Sequence, residues 1–313
     1  MHTRLSKLFK KDENFGIVIS KNHTFDVLNL QNNVEIFKLD IDNKWKINPL
    51  TTQADPFLFV KDKQLYLFYE KMRSAERGEI CMRKMNVDQE WSDPILVLKE
   101  PFHLSFPYVF EDDGVVYMIP ESQEADSIRL YKGNSDLTCF SFERTLLSRE
   151  RSKDICFNFC DSHIFKKKGI FYLFTSVSYN WTYHLELYYT DNLQNGEFKK
   201  HPQSPIYVGN DYGRCGGSII HLDNNCYRIS QDCQNSYGAN ISVHRILHLD
   251  IFKYKEELLK SAILEMGVDG VYKDGGHQLS IVRYGDNYIY ASDFRRVFLS
   301  WYQLYRRVKR HLV

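Results

Sequence analysis

The sequence lacks the features of membrane-spanning, secreted and nucleic-acid-binding proteins. No stretch of its 313 residues approaches the roughly 18 uninterrupted apolar residues of a transmembrane helix. The first residues, MHTRLSKLFKKDENF, carry positive charges but no apolar segment and no small-residue cleavage site, so no signal peptide is predicted. Lys and Arg total 41 against 40 Asp and Glu, and this formal net charge of +1 argues against nucleic-acid binding.

The cysteines also lack a pairing pattern. Seven occur, at positions 81, 139, 156, 160, 215, 226 and 233, and no two form a CxxC pair. An odd number without such a pair predicts neither a disulfide framework nor a zinc ribbon. Cys156 and Cys160 lie beside Asp161, where buried thiols are favoured because a metal would need two further ligands. These absences predict a cytoplasmic protein with reduced thiols.

An internal repeat organises the chain. Five segments share an apolar strand, a short polar turn and a second, Tyr-containing strand, at a spacing of roughly 50–60 residues. They begin at Asp55, Phe106, Asp161, Gly216 and His277, and their shared tyrosines are Tyr66, Tyr117, Tyr172, Tyr227 and Tyr288. Aromatic residues make up 15% of the chain, which favours β-structure and surfaces that stack on sugars.

Further strands follow each hairpin. Third strands are predicted at Gly78–Met85, Ser127–Lys132, Leu185–Thr190 and Ile241–Leu249. Fourth strands are predicted at Pro94–Leu98, Phe142–Leu147 and, more weakly, Pro205–Val208. Four strands per repeat predict an all-β, five-bladed β-propeller over residues 1–293 as a single domain, and the strands near Gly16–Ser20 and Val34–Leu39 should close the ring. A β-sandwich or two small β-domains would explain the constant spacing less well.

The propeller predicts a polar funnel on its axis. The first strand of every blade lines the central channel, so the residues that enter those strands should converge. Those residues are Asp55, His103 with Ser105, Asp161 with His163, Arg214 and His277. Five polar clusters that meet on one axis make a candidate binding site. Each could instead be a turn residue or a strand cap, above all Asp55, because Asp before Pro favours turns.

Paired carboxylates in such a funnel suit glycosidic-bond chemistry, in which one acts as base or nucleophile and another as acid. Asp55 and Asp161 enter blades one and three and should face each other. Asp232, at the end of a second strand with Gln231, and Glu121, at the end of another, could supply the acid. Capping or hydrogen bonding between blades is the alternative for each of them.

Substrate binding is predicted for a further set of polar residues, namely His103, Ser105, Glu121, His163, Arg214, Arg228, Gln231, Tyr237 and His277. Arg214 and Arg228 favour an anionic group held by a bidentate contact, with a salt bridge to Asp161 or Asp232 as an equal alternative. Tyr237 could form a stacking wall. No cofactor is predicted, although a divalent ion could occupy the channel near His277.

Two resemblances refine this hypothesis. Strands of the form Asp-Pro-x-x-Phe followed by a Tyr-rich strand resemble the five-bladed glycoside hydrolases of family 43. That resemblance implies Asp55 as general base, Asp161 as the carboxylate that orients the acid, and His277 on the axis. The blade-four Glu that serves as the acid in that family has no counterpart in Gly213-Arg214-Cys215-Gly216-Gly217.

A closer resemblance covers about residues 15–293. The run PFHLSFPYVFEDDGVVYMIPES (Pro101–Ser122), with ADPFLF before it and YRISQDCQNSYG (Tyr227–Gly238) after it, is similar to the N-terminal propeller of glucosamine inositolphosphorylceramide transferases and their bacterial relatives. The resemblance implies glycan or glycolipid metabolism without fixing the reaction. Together with the paired carboxylates and the two arginines, it leads to the hypothesis that the chain cleaves or transfers a glycosyl group, on an acidic or phosphorylated glycan, in surface-polysaccharide or glycolipid biosynthesis.

The ligand would then be a glycan, a nucleotide sugar or a lipid-linked sugar. The main alternative is a non-catalytic glycan-binding propeller that presents its ligand to a partner glycosyltransferase. A propeller for protein interaction is the third hypothesis, and it predicts a hydrophobic top face in place of the funnel.

The C-terminal residues 294–313 change in character. Phe298, Trp301, Tyr305, Val308 and Leu312 follow helical spacing among Arg295, Arg296, Arg306, Arg307, Lys309 and Arg310. A basic amphipathic helix with Trp and Tyr predicts contact with an anionic membrane surface, at the inner face of the membrane for a cytoplasmic protein. The alternative is a helix packed on the propeller's underside with its charges in water.

Overall fold

Twenty-two strands form the fold in the computed structural model, which describes residues 11–42, 45, 49–74, 76–148, 157–222, 224–266 and 270–312. Cys156 lies outside the described residues. The strands in chain order are β1 (Asp12–Asn22), β2 (Val34–Leu39), β3 (Thr51–Lys61), β4 (Gln64–Arg73), β5 (Glu79–Lys84), β6 (Ile95–Leu98), β7 (Ser105–Asp112), β8 (Val115–Glu121), β9 (Ser127–Gly133), β10 (Phe140–Ser148), β11 (Phe157–Lys167), β12 (Ile170–Tyr179), β13 (Thr182–Thr190), β14 (Lys199–Lys200), β15 (Tyr207–Val208), β16 (Arg214–Cys215), β17 (Ile220–Leu222), β18 (Asn225–Asp232), β19 (Asn240–Leu249), β20 (Tyr254–Lys260), β21 (Leu279–Tyr284) and β22 (Asn287–Phe298).

Five antiparallel sheets make up the blades of a β-propeller, as the repeat predicts. Blade one holds β3–β6, blade two β7–β10, blade three β11–β15 and blade four β16–β20. Blade five has the order β21, β22, β1, β2, so its two outer strands come from the start of the chain. The pairing of β1 with β22 runs without a break from Asp12↔Phe298 to Asn22↔Tyr288 and closes the ring.

Aromatic side chains fill the space between neighbouring blades. The rings of Phe57 and Tyr108 meet edge to face with centroids 5.8 Å apart, which joins the first strands of blades one and two. Tyr108 continues the row toward blade three through contact with His163, at 6.0 Å. Residues at the same strand position thus pack blade against blade, because alternate residues of a strand share one face.

A β-bulge interrupts the first strand of blades one, two and three at the same place. Asp55, Phe106 and Asp161 each adopt a left-handed conformation, with φ of 53°, 45° and 45°. The pairing register with the second strand shifts at each of these residues. A bulge of this kind re-aims side chains at the rim of a sheet, and two of these three residues are aspartates.

Two regions differ from the prediction. β20 is a fourth strand of blade four that the repeat pattern does not reveal. Residues 294–298, predicted as helical, continue β22 as a strand because they pair with β1 from Asp12 to Gly16. Arg295 and Arg296 therefore belong to the sheet.

The C-terminal helix α1 begins only at Trp301 and ends at Leu312. It follows the end of β22 that carries Asp293, so it lies at the funnel end of blade five and not on the underside. Among the described residues, no helix is long and apolar enough to cross a membrane.

Candidate functional site

Five carboxyl groups from four blades lie around the funnel end of the axis. They belong to Asp55 and Glu70 of blade one, Glu121 of blade two, Asp161 of blade three and Asp293 of blade five. All five residues are more than nine-tenths buried, with exposures of 0–8%. Burying so many acids in one place is unfavourable unless protons or cations compensate their charges. We call these five residues the acidic cluster.

His277 bridges two members of the acidic cluster. Its Nε2 lies 3.0 Å from Asp55 Oδ1, and its Nδ1 lies 2.9 Å from Asp293 Oδ2. The Asp293 carboxylate also accepts hydrogen bonds from the backbone amides of His277 (2.7 Å), Gln278 (3.1 Å) and Asp55 (3.3 Å). Asp293 is thereby fixed by backbone donors, and it in turn fixes the imidazole on the axis.

The charge state of His277 follows from these contacts. Burial by itself would lower the pKa of the imidazole, but the carboxylates of Asp293 and Asp55 outweigh it and raise the pKa well above its ordinary value. His277 is therefore an imidazolium that compensates part of the acidic charge. Asp55 also accepts a hydrogen bond from the Phe106 amide at 3.0 Å, which couples blade one to the bulge of blade two.

Arg214 provides the second positive charge. Its Nε donates to Asp161 Oδ2 at 2.5 Å, and Nη1 donates to the Tyr183 hydroxyl at 2.9 Å. Nη2 lies 3.8 Å from Glu121 Oε2. The guanidinium packs against the rings of Tyr183 and Tyr237, at 5.2 and 4.8 Å from their centroids. Arg214 thus forms the salt bridge to Asp161 that was the alternative to anion binding.

Gln231 and Tyr237 complete the wall on this side. The Gln231 side-chain amide donates to Asp161 Oδ2 at 2.9 Å and to the Cys215 carbonyl at 2.7 Å. Tyr237 is partly exposed and stands between Arg214 and His277, with its ring centroid 5.0 Å from that of the imidazole. This placement suits a surface on which a sugar ring could stack.

Glu70 and Glu121 carry the protons that reduce the charge of the cluster. Burial raises the pKa of each carboxyl well above its ordinary value of 4.5, and the neighbouring Asp55 adds to the effect at Glu70, as Asp161 does at Glu121. Glu121 Oε2 accepts the Asp161 amide at 3.1 Å. Within the described residues, the Glu70 carboxyl makes no directed hydrogen bond.

His103 stands next to Glu70. Ser105 follows two residues later in the chain and lies beside Glu121 of the neighbouring strand. The Gly78 amide donates to His103 Nδ1 at 2.9 Å, so the neutral ring carries its proton on Nε2, which lies 3.5 Å from Glu70 Oε1. Burial lowers the pKa of His103 and favours this neutral form. Ser105 pairs with Glu121 in the register of β7 and β8.

Three predicted residues are placed elsewhere. Arg228 is fully buried within blade four, where Nε and Nη2 donate to the two carboxylate oxygens of Glu256 at 2.7 and 2.6 Å. His163 stacks on Phe174 in the core, with centroids 5.2 Å apart. Asp232 follows Gln231 on the opposite face of the strand and accepts the Gln234 amide at 3.0 Å.

Asp55, His277 and Asp293 are also the described residues that could hold a metal ion, since their ligand atoms lie within 4.8 Å of one another. The His277 Nδ1 contact with Asp293 is close but is not a directed hydrogen bond, so this buried nitrogen is an orphaned donor group. A divalent ion bound there would replace the proton on the imidazole and take its place between the two carboxylates.

Comparison with known proteins identifies the family. Residues 43–289 match the family described as glucosamine inositolphosphorylceramide transferase 1, N-terminal. The chain belongs to this family. It is 32% identical over 216 residues to glucosamine inositolphosphorylceramide transferase 1 of Arabidopsis thaliana, covering 66% of this chain and 27% of the relative. The protein of the same name from Oryza sativa subsp. japonica is 31% identical over 219 residues, covering 66% of this chain and 28% of the relative.

Solved structures share the propeller of this glucosamine inositolphosphorylceramide transferase N-terminal family. Zg3597, a family 117 glycoside hydrolase of Zobellia galactanivorans, aligns with a TM-score of 0.55 and 11% identity over 94% of this chain and 92% of that one. A candidate glycoside hydrolase of Bacteroides ovatus aligns with a TM-score of 0.55 and 15% identity over 92% of this chain and 95% of that one. At these identities the likeness is one of fold alone. Family membership supports a glycan-related function, and the chain spans about a quarter of the length of the plant relatives.

Sequence reasoning missed Glu70, Asp293 and Tyr183 in this family member. A signal for Glu70 was present in the repeat, because Glu70, Glu121, Ser176 and Gln231 all stand four residues after the shared tyrosine of their blade. In blade five, Asp293 stands five residues after the shared Tyr288, one more than in the other blades. Tyr183 lies in a third strand, and its contact with Arg214 has no sequence signal.

Proposed function

We propose that the funnel binds the sugar of a glycan or glycolipid and that the chain cleaves or transfers a glycosyl group there. The observation that supports this best is a pair of buried carboxyl groups on blade one that stand in different surroundings. Asp55 Oδ1 lies 3.0 Å from the His277 imidazole, whereas burial, with the charge of Asp55 adding to it, raises the pKa of Glu70 well above its ordinary value. Two carboxyl groups in such different environments can divide the roles of base and acid.

The two groups would divide the reaction between them. Glu70 would protonate the oxygen of the leaving group, and Asp55 would accept a proton from water or from an acceptor hydroxyl. Tyr237 would stack on the sugar, and His103 and Ser105 would bind its hydroxyl groups. Arg214 and Gln231 would hold Asp161 in position and take no part in proton transfer.

The charge balance favours a neutral or amine-bearing sugar. The prediction of an acidic or phosphorylated glycan rested on a free arginine, but the Arg214 guanidinium is already engaged by Asp161 and Tyr183. Five carboxyl groups surround the two positive charges of Arg214 and His277. An ammonium group would add a positive charge to a funnel that holds more carboxyl groups than cations, and the plant relatives are named for transfer involving glucosamine, an amine-bearing sugar.

The second candidate function is glycan binding without turnover. One observation favours it: Arg214 enters blade four where the family 43 hydrolases place their acid, and it saturates Asp161. In this case the funnel would present a lipid-linked or free glycan to a partner glycosyltransferase. The same side chains would bind the sugar, but no bond would break.

Nuclear magnetic resonance (NMR) separates the two functions. The purified chain would be incubated with neutral, amine-bearing and acidic oligosaccharides and with nucleotide sugars, and compared with Asp55→Asn. Saturation transfer reports binding, and new anomeric signals report turnover. Signals that vanish in Asp55→Asn support the enzyme, whereas binding without new signals in either protein supports the binding module. Absence of both would contradict the proposal for these ligands.

A further inference from the structure

The C-terminal helix α1 is oriented with its polar side toward the propeller. Arg307 forms an ion pair with Asp12 at the start of β1, and Asp12 also accepts the Ser300 amide at 3.1 Å. A helix that packs on its own domain normally buries its apolar face. Here a charged residue, Arg307, faces the propeller and is paired with Asp12.

The apolar face of α1 is consequently turned outward. Trp301, Tyr305 and Val308 follow i, i+4, i+7 spacing, which places them on one side of the helix, and they are 49%, 55% and 40% exposed. We call these three residues the exposed stripe. Trp45, on a separate loop, adds a second indole, with its ring 5.8 Å from that of Trp301.

The charges that flank the exposed stripe have one sign. The helix sequence WYQLYRRVKRHL contains Arg306, Arg307, Lys309 and Arg310 and no acidic residue. Asp12 neutralises Arg307, while Lys309 is exposed beside the stripe. The side chains of residues 310–312 lie outside the described part of the chain. An apolar stripe of Trp and Tyr between basic residues matches the interface of an anionic bilayer, where indole and phenol rings sit at headgroup level.

We propose that α1 lies in the interfacial plane of an anionic phospholipid membrane, with Trp301, Tyr305 and Val308 inserted and Arg306 and Lys309 on the headgroups. This surface is separate from the acidic cluster. Because α1 follows the end of β22 that carries Asp293, the membrane would lie at the funnel end of blade five. A sugar attached to a lipid could then reach the funnel without leaving the bilayer surface.

Vesicle flotation of the full chain tests this proposal independently of any glycan. Vesicles of phosphatidylcholine alone would be compared with vesicles that also contain phosphatidylglycerol. The stripe variant Trp301→Ser with Tyr305→Ser removes apolar contact, and the charge variant Arg306→Gln with Lys309→Gln removes attraction. Phe252→Ser is the matched control, because Phe252 is 74% exposed on a turn of blade four.

The wild-type chain and Phe252→Ser should float with the anionic vesicles and lose this binding as salt increases. The charge variant should bind roughly thirtyfold more weakly, since each basic residue near an anionic surface contributes a factor of about five. The stripe variant should not float. It should still unfold at the same denaturant concentration as the wild-type chain, which shows that its fold is intact. Flotation of the stripe variant equal to wild type, or a dimer in light scattering that the stripe variant abolishes, would overturn the proposal.

Discussion

Arg214 donates a hydrogen bond from Nε to Oδ2 of Asp161 at 2.5 Å, across the boundary between blades four and three. The pair is almost entirely buried, with side-chain exposures of 12% and 2%. This contact makes Arg214 a structural counter-ion, which the sequence allowed as an equal alternative to anion binding. The axial His277 is left as the salt-bridge partner of Asp55 and Asp293.

Breaking this pair should destabilise the fold. Arg214→Met would leave the Asp161 carboxylate buried with only Gln231 as a donor, at an expected cost of about 3–5 kcal/mol in the free energy of unfolding. The double variant Arg214→Met with Asp161→Asn removes both charges and should recover most of that loss. Chemical denaturation measures both. If the double variant were as unstable as the single one, Asp161 would not be the group that Arg214 compensates.

Replacing His163 should stabilise the fold, whereas replacing Arg214 should destabilise it. Both ring nitrogens are buried and make no hydrogen bond to any described residue, and burial lowers the pKa of the ring to about 3, so it stays neutral. His163→Phe would remove the unsatisfied nitrogens and keep the stacking on Phe174. We expect the free energy of unfolding to rise by about 1 kcal/mol with sugar binding unchanged. A loss of binding in this variant would place His163 in the site after all.

Glu70 should make stability depend on pH. Its folded pKa lies above its ordinary value of 4.5, so the folded chain binds a proton that the unfolded chain releases, and its contribution falls as pH rises through the folded pKa. Glu70→Gln cannot lose that proton. The variant should therefore gain stability relative to wild type as pH increases above about 5, by at most about 1.4 kcal/mol per pH unit. Thermal unfolding of the two proteins across pH 5 to 9 measures the difference, and a constant offset would contradict the assignment.

The repeat in the sequence predicts the fold well because each blade shows the same local pattern. The Tyr-containing hairpins predict both inner strands of every blade, and the two N-terminal strands close blade five as expected. β20 escapes prediction because its sequence, YKEELLK, shows no strict alternation of apolar and polar residues. The ion pair of Arg228 could not be predicted for the same reason, since its partner Glu256 lies on β20.

The site is predicted less completely because its chemistry depends on contacts between blades. Asp55, Asp161, Arg214, Gln231, Tyr237 and His277 do converge, since strand starts meet on the axis. Pairings such as that of Arg214 with Asp161 decide which of these side chains can bind a ligand. The left-handed bulges at Asp55 and Asp161 matter as well, because they re-aim the chain at these residues. A turn signal is present only at Asp55, which precedes Pro56, and the sequence has none at Asp161.

The most direct test of the account is to measure which sugars the funnel prefers. Titration calorimetry would compare an oligosaccharide of amine-bearing sugars with a matched acetylated one and a matched uronate, on wild type, Asp55→Asn and Arg214→Lys. We expect the amine-bearing ligand to bind most tightly and Asp55→Asn to remove this preference, because it removes a carboxylate from the funnel. Tightest binding of the uronate, weakened in Arg214→Lys and unaffected in Asp55→Asn, would contradict the proposed preference.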